Sequence, residues 1–355
     1  MNNIKKLAKR WFIDAFSGMA QGLFCTLIAG TILALIAKLI GLDTYVGGLI
    51  NSIANVAKTL MGAGIGIGIA NSLKAPKLVM FSAGVTGFVG AFSDKIIAGT
   101  FALSLGAPGN PIGAYVVALF TIEIALLYAG KTKLDIILVP LGMMILTALG
   151  VYLAWPFIWL ITQLSNLIEI ATEATPFVMG IVISVIMGIL LTMPTSSAAI
   201  WVAIASANTS DAMLIAGGAA VVGCACHMIG FAVSSYRENG FGGLIAQGLG
   251  TSMLQIPNIM RKPIIMLPEI IASAILGPIA TTVFALKCTA SGGGMGTSGL
   301  VGMFGVLDAT TDVNAITWIG IVLLLFVLPA LITWIISEFM RKKGIIKYGD
   351  MSLDI

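Results

Sequence analysis

The sequence predicts an all-α fold: a polytopic membrane protein with about ten transmembrane helices, two or three re-entrant hairpins and a possible internal duplication. Three observations lead there. Of 355 residues, 58% are hydrophobic and only 10% charged, whereas an ordinary soluble domain is about a quarter charged. The mean hydropathy is +1.05. The apolar residues run in stretches of about twenty, the length a helix needs to cross a hydrocarbon core, divided by charge, Pro or Gly clusters.

Cutting at those clusters gives candidate spans 15–40, 46–70, 77–93, 112–130, 135–161, 176–193, 212–234, 241–257, 263–286 and 315–338. The first follows a basic MNNIKKLAKRWF segment. It is too long for a signal-peptide core and lacks a small-residue cleavage site, so it is expected to stay attached. Positive charge tests the division, because short cytoplasmic loops collect Lys and Arg. With Lys5, Lys6, Lys9 and Arg10 inside, Lys74, Lys77, Lys131, Lys133, Arg261, Lys262 and the Arg341–Lys343 run also fall inside. The acidic Glu169–Glu173 stretch falls outside. Both termini are then cytoplasmic, with Arg237 and the weak spans 77–93 and 241–257 as the poorest fits.

Several function classes are excluded. The net charge of +4 comes with no basic tract beyond the terminal clusters, so nucleic acid has no electrostatic footprint. Cys25, Cys224, Cys226 and Cys288 lie in or beside apolar segments and form no CxxC pair. Cys224-Ala-Cys226-His227 suggests metal ligation, but its spacing puts the two thiols on different helix faces, and small-residue helix packing accounts for it better. An intramembrane enzyme lacks an HExxH helix or facing aspartates. No cofactor is expected.

Segments 94–111, 194–210 and 287–302 are moderately apolar, too short to cross twice, and rich in Gly, Ser, Thr or Pro. Irregular backbone at membrane depth survives only inside protein or beside a watery cavity. The last two are expected as re-entrant hairpins or broken helices whose tips approach each other. The first stands equally as a surface loop. Asn71–Pro76 and Asn258–Pro263 precede apolar spans in corresponding places, a faint sign of duplicated halves.

The residues best suited to chemistry cluster in the second half. His227, the only histidine, sits inside an apolar span, where an ionisable group is costly unless it faces a cavity or finds partners. It can donate and accept at once, and Arg237, Glu238 and Asn239 add a fork donor, an acceptor and an amide. A plainer reading stays open: His227 bonds a backbone carbonyl and 237–239 form a solvated loop. Thr195, Ser196 and Ser197 in one hairpin, and Thr289, Ser291, Gly292, Gly293, Thr297 and Ser298 in the other, offer hydroxyls and freed backbone groups for a neutral or anionic solute near the midplane. Glycines for close helix packing are the alternative there. The GGGMG run lacks the Lys-Ser/Thr ending of a nucleotide loop. Lys58 lies on a polar stripe with Asn51 and Asn55. Glu123 and Glu269 fit structural pairing better than proton relay.

Met193-Pro-Thr-Ser-Ser197, the stretch from His227 to Gly243, the Asn258–Pro263 joint and Ser291-Gly-Gly-Gly-Met-Gly-Thr-Ser298 together resemble the membrane IIC-type subunits of the bacterial phosphotransferase system, in the branch that includes the perfringolysin O regulator. The resemblance covers nearly the whole chain. It implies a homodimeric permease subunit of the bacterial cytoplasmic membrane that binds a small polar solute, a sugar or sugar-like acid, and moves it by an elevator-type motion. Residues 1–175 would be the scaffold and dimerisation domain, 176–340 the solute-binding domain and 341–355 a cytoplasmic tail. Gly62, Gly64, Gly66, Gly68, Gly84, Gly87 and Gly90 would suit tight contacts in the scaffold. In such subunits a histidine and a glutamate hold the sugar. His227 matches the histidine; the Gly-Ile-Thr-Glu motif of glucose-type families is replaced here by Ser-Gly-Gly-Gly-Met-Gly, and Glu238 stands in for the acid. Phosphorylation would fall to a separate cytoplasmic IIB-type subunit, since no phosphorylatable soluble domain is recognisable. The regulator branch keeps a second reading open: a membrane-embedded solute sensor controlling gene expression without net transport.

Overall fold

Long apolar runs need a defined start, and the sequence supplies caps at several of them. Asn110 accepts from the N–H of Ile112 and Gly113 at 2.9 and 3.1 Å, with Pro111 at the first helical position of Pro111–Tyr128. Ser210 caps Asp211–Ser234 through Met213 N–H at 3.2 Å, with Asp211 in the first turn, where the helix dipole favours negative charge. The computed structural model describes residues 2–100, 102, 104–193 and 196–353, with side chains from Lys6 onward. Among these residues there is helix, turn and loop but no strand.

Among the described residues six helices are long and apolar enough to cross a bilayer: Lys6–Ile40, Pro111–Tyr128, Asp135–Ala174, Asp211–Ser234, Pro263–Val283 and Ala315–Lys342. A bent pair, Tyr45–Thr59 and Met61–Ser72, turns by 54° and supplies a seventh if it is one span. Lys77–Gly90 and Pro176–Thr192 are apolar but shorter. The membrane class read from composition therefore holds, and several boundaries shift. Asp135–Ala174 runs as one helix through Pro140, Pro156 and the acidic 169–173 stretch, as prolines in membrane helices can when the freed backbone groups find other partners. The weak 241–257 span is not one helix. Gly240, at φ 58°, interrupts Tyr236–Ile245, and a wide turn at Ala246–Gly250 and a tight one at Ser252–Gln255 follow. Segment 94–111 gives one short helix, Ser93–Ile97, and then a loop with exposed residues, held by Gly106 N–H on Thr59 Oγ1 at 2.8 Å.

The chain folds as two compact units divided between Leu164 and Ser165. In the first, Phe16–Leu23 crosses Met61–Ser72 with Gly18 against Gly68 and Gly22 against Gly64, and Met61–Ser72 meets Lys77–Gly90 at Gly62 and Gly87. Gly66 lies on Ala83, and Gly90 on Gly113. The glycines expected to suit tight contacts in the scaffold are used between helices of this chain, because only a missing Cβ lets these backbones touch. Glu123 accepts from Arg10 Nε at 2.7 Å and Trp11 Nε1 at 3.1 Å, a structural pair. Gly22→Val should separate the first crossing and lower stability by about 1–3 kcal/mol or more, since overpacked cores pay in displaced backbone. Thermal unfolding in detergent, compared with Gly48→Ala, where an added Cβ meets only Leu42 O at 3.5 Å, checks this.

In the second unit Asp211–Ser234 is the central helix, buried along most of its length. Gly223 rests on Ser184 of Pro176–Thr192, Gly230 on Glu269 of Leu267–Pro278 and on Thr333 of Leu328–Lys342. Gly217 and Gly218 rest on the backbone of Cys288 and Leu286. Ser184 Oγ donates to Ser273 O at 2.8 Å, tying two of the surrounding helices. Small residues on every side of this helix leave one position where a large polar ring projects into the packing, and that is His227.

Candidate functional site

His227 lies about two turns before the end of its helix and is fully buried. Nδ1 is 2.9 Å from Thr192 Oγ1, which is also 3.0 Å from Ser252 Oγ and 3.3 Å from Gly188 O. One assignment satisfies all three contacts. Nδ1–H and Ser252 O–H donate to the two lone pairs of Thr192 Oγ1, and Thr192 O–H donates to Gly188 O. Nε2 is then a bare acceptor, and it has no partner among the described residues. A Cβ on Gly188 would lie 2.9 Å from Nε2, so the glycine keeps this edge of the ring clear of a side chain. Phe231 meets the ring edge-on at 6.3 Å between centroids. The plainer reading, a histidine held by a backbone carbonyl, is not what is seen; its holder is a hydroxyl.

The two later hairpins meet. Pro194 and Thr195 lie outside the described residues, so nothing is said of Thr195. Ser196 caps Ser197–Ala205 through Ala199 N–H at 3.1 Å. Ser197 Oγ donates to Gly294 O at 2.7 Å, and Gly293 lies against the Trp201 indole. Trp201 Nε1 is buried without a partner among the described residues. Gly296, at φ 56°, packs on Cys224, one helical turn from His227. Thr297 Oγ1 donates to Gly248 O at 2.6 Å and lies 3.6 Å from Met228 Sδ. Ser298 donates to Gly250 O at 2.9 Å, Thr289 and Ser291 hydroxyls are 3.0 Å apart, and Gly292 packs on Gly305. Most hydroxyls singled out in the sequence therefore already hold backbone. Two buried polar atoms near them do not: one acceptor, His227 Nε2, and one donor, Trp201 Nε1.

Arg237, Glu238 and Asn239 are not hydrogen-bonded to His227 in the described structure. The helix breaks at Ser235, and the next residues turn toward the C-terminal segment. Glu238 accepts from Arg341 Nη2 at 2.9 and 3.0 Å and from Gly349 N–H at 3.3 Å. Arg237 pairs with Glu338 at 2.8 Å. Asn239 donates to Met351 O at 2.9 Å and accepts from Leu353 N–H at 2.8 Å. Residues 341–353 are accordingly not a free tail. Ile346 and Met351 are buried with Phe231, Ile259, Ile265 and Met340. Lys262 binds Asp350 at 2.6 Å. Partial burial pushes the Asp350 carboxyl up, but the Lys262 hydrogen bond, the Lys347 N–H and both lysine charges outweigh it and hold it below its ordinary value.

Sequence reasoning missed Thr192, Ser252, Gln247, Gln255, Asn258 and Arg341. Gln247 Nε2 donates to Ser235 Oγ at 2.9 Å, Gln255 Nε2 to Gln247 Oε1 at 2.9 Å, and Asn258 Nδ2 to Gln255 Oε1 at 2.8 Å, a buried amide ladder. Its signal was the polarity of the weakest span, 241–257. Glu269 is buried, accepts from Ser234 Oγ at 3.1 Å through Oε1, and leaves Oε2 unpaired among the described residues.

A family model described as "Phosphotransferase system, EIIC" matches residues 13–353, nearly the whole chain. No curated protein matches the chain, and no solved structure does.

Proposed function

The chain belongs to the phosphotransferase system EIIC family and is a permease-type, multi-pass subunit of the bacterial cytoplasmic membrane; from that premise we propose that His227 Nε2 binds a sugar hydroxyl in its second unit. The observation that carries this reading is the buried Nε2 with no partner among the described residues, while Nδ1 is held by Thr192; in the tautomer that satisfies all three contacts of Thr192, Nε2 is an acceptor. A buried polar atom without a partner costs about 1–3 kcal/mol. A ligand that donates an O–H there recovers that cost. Trp201 Nε1, Ser291 and Thr289 add a donor and two hydroxyls beside the hairpins, which suits a polyhydroxylated solute.

In this reading residues 176–340 carry the solute through an elevator-type movement, and residues 1–175 are the scaffold that forms a homodimer. A separate cytoplasmic IIB-type subunit phosphorylates the sugar. Ser196, Ser197, Gly292, Gly293, Thr297 and Ser298 shape the hairpins around the solute, while Arg237, Glu238 and Asn239 serve the neighbouring C-terminal segment. The test is a panel of sugars and sugar acids against the purified protein, read by thermal stabilisation, then by uptake into proteoliposomes with and without a phosphoryl donor chain. At least one sugar should stabilise the protein and be accumulated with the donor chain. Binding without flux would assign the same pocket to sensing; no stabilisation by any sugar would end the reading.

A further inference from the structure

We propose that residues 349–353 are a displaceable strap, seated in a groove built to read peptide backbone, and that seating it fixes the turn that holds Thr192 and His227.

Four amide hydrogen bonds from three side chains converge on three consecutive residues. Asn239 donates to Met351 O at 2.9 Å and accepts from Leu353 N–H at 2.8 Å. That is the pattern a neighbouring parallel strand presents to residues two apart. Gln255 Nε2 donates to Met351 O at 3.0 Å, and Asn258 Nδ2 to Ser352 O at 2.8 Å. None of these bonds touches a side chain of the strap, so they read its main chain, the logic of added-strand recognition. Side-chain selectivity comes from one anchor, Met351, fully buried, and from the Lys262–Asp350 pair.

The strap is built to move as well as to bind. Between the anchors Ile346 and Met351 the residues are mostly exposed. Gly344, just before this stretch, and Gly349, within it, have φ 70° and 93°, backbone conformations that favour glycine, with open space around both. A cavity of 230 Å³ lies beside it, lined by Leu254, Asn258, Arg261, Gly349, Ser352 and Leu353. The outer side of the strap is open, while its polar contacts are specific.

The connection to His227 is one turn of chain. Gln255, which holds Met351, belongs to the tight Ser252–Gln255 turn, and Ser252 at its other end donates to Thr192, the holder of Nδ1. When the strap leaves, Gln255 and Asn258 lose acceptors and the turn loses its outer support. The coupling takes the solute site as proposed above; the seating of the strap does not depend on it.

The experiment truncates the chain after Lys343 and adds back a fluorescent peptide of residues 344–353, read by anisotropy. The truncated protein should bind the peptide saturably, and the full chain at least about tenfold more weakly because its groove is filled. Asn239→Ala in the truncated protein, or Met351→Ser in the peptide, should each weaken binding about tenfold, the loss expected from removing one or two such contacts. A spin label at Met253→Cys, in a Cys25→Ser background, should gain mobility on truncation and lose it when peptide is added. If the truncated protein does not fold, Asn239→Asp in the full chain, which keeps the acceptor and removes the donor, should speed tryptic cleavage after Lys347. No saturable binding by folded truncated protein, an unchanged spectrum at Met253, or unchanged cleavage in Asn239→Asp overturns the proposal. No solute enters these assays, so their failure leaves the His227 reading standing, and a failed sugar screen leaves the strap standing.

Discussion

Arg341→Ala is expected to destabilise the second unit by about 3–5 kcal/mol, the usual result of removing one partner from a buried ion pair. The Glu238 side chain is 1% exposed and that of Arg341 8%, so neither charge has water to fall back on. Arg341 Nη2 serves both Glu238 oxygens and Ser234 O at 2.9 Å. Ser234 in turn donates to Glu269. Without the guanidinium, the Glu238 carboxylate keeps only the long Gly349 contact, and the Ser234 carbonyl loses its side-chain donor. Replacing both partners, Arg341→Met with Glu238→Leu, should recover most of the loss, because the penalty is the stranded charge and not the missing attraction. Chemical unfolding of the single and double variants in detergent measures the difference. An Arg341→Ala protein as stable as the parent would mean that the pair is solvated and peripheral.

His227→Asn should weaken solute binding by about five- to 150-fold while leaving the fold in place, since losing a buried hydrogen bond and stranding its partner costs about 1–3 kcal/mol. Asparagine keeps a donor close to the Nδ1 position for Thr192 but has no atom where Nε2 stands. The substitution therefore separates the anchoring of the ring from its free acceptor. Affinity from thermal stabilisation or calorimetry should fall, with the unfolding midpoint without solute close to that of the parent. Equal affinity in the two proteins would remove His227 from the site.

Much of this molecule was legible from composition and spacing, because lipid imposes a coarse rule: apolar stretches of sufficient length become helices. That segments 194–210 and 287–302 approach each other was also legible, since hydroxyls, Gly and Pro in half-length segments have few other uses at membrane depth, and Ser197 does reach Gly294. His227 stood out as the one histidine. Its partners did not. Thr192 and Ser252 are ordinary hydroxyl residues 35 and 25 positions from it in the chain, brought there by helix crossings at Gly188 and Gly223 that no local pattern encodes. Glu238 and Asn239 were drawn to His227 by closeness in sequence. The break at Ser235 and the return of residues 341–353 decide otherwise, and a contact spanning more than a hundred residues leaves no periodic trace. The 241–257 span failed for a readable reason: Gln247, Ser252 and Gln255 are too polar to face lipid, and they turn inward as a ladder.

The state of His227 Nε2, proposed as a bare acceptor for a sugar hydroxyl, can be measured directly because the chain has a single histidine. Nitrogen NMR of protein labelled only at histidine yields one pair of ring resonances. Without solute, the ring should be protonated at Nδ1 and bare at Nε2. On saturation with a stabilising sugar, Nε2 should move toward a hydrogen-bonded acceptor while Nδ1, held by Thr192, barely changes. A ring protonated at Nε2 without solute, or an Nε2 resonance unmoved at saturation, would contradict it.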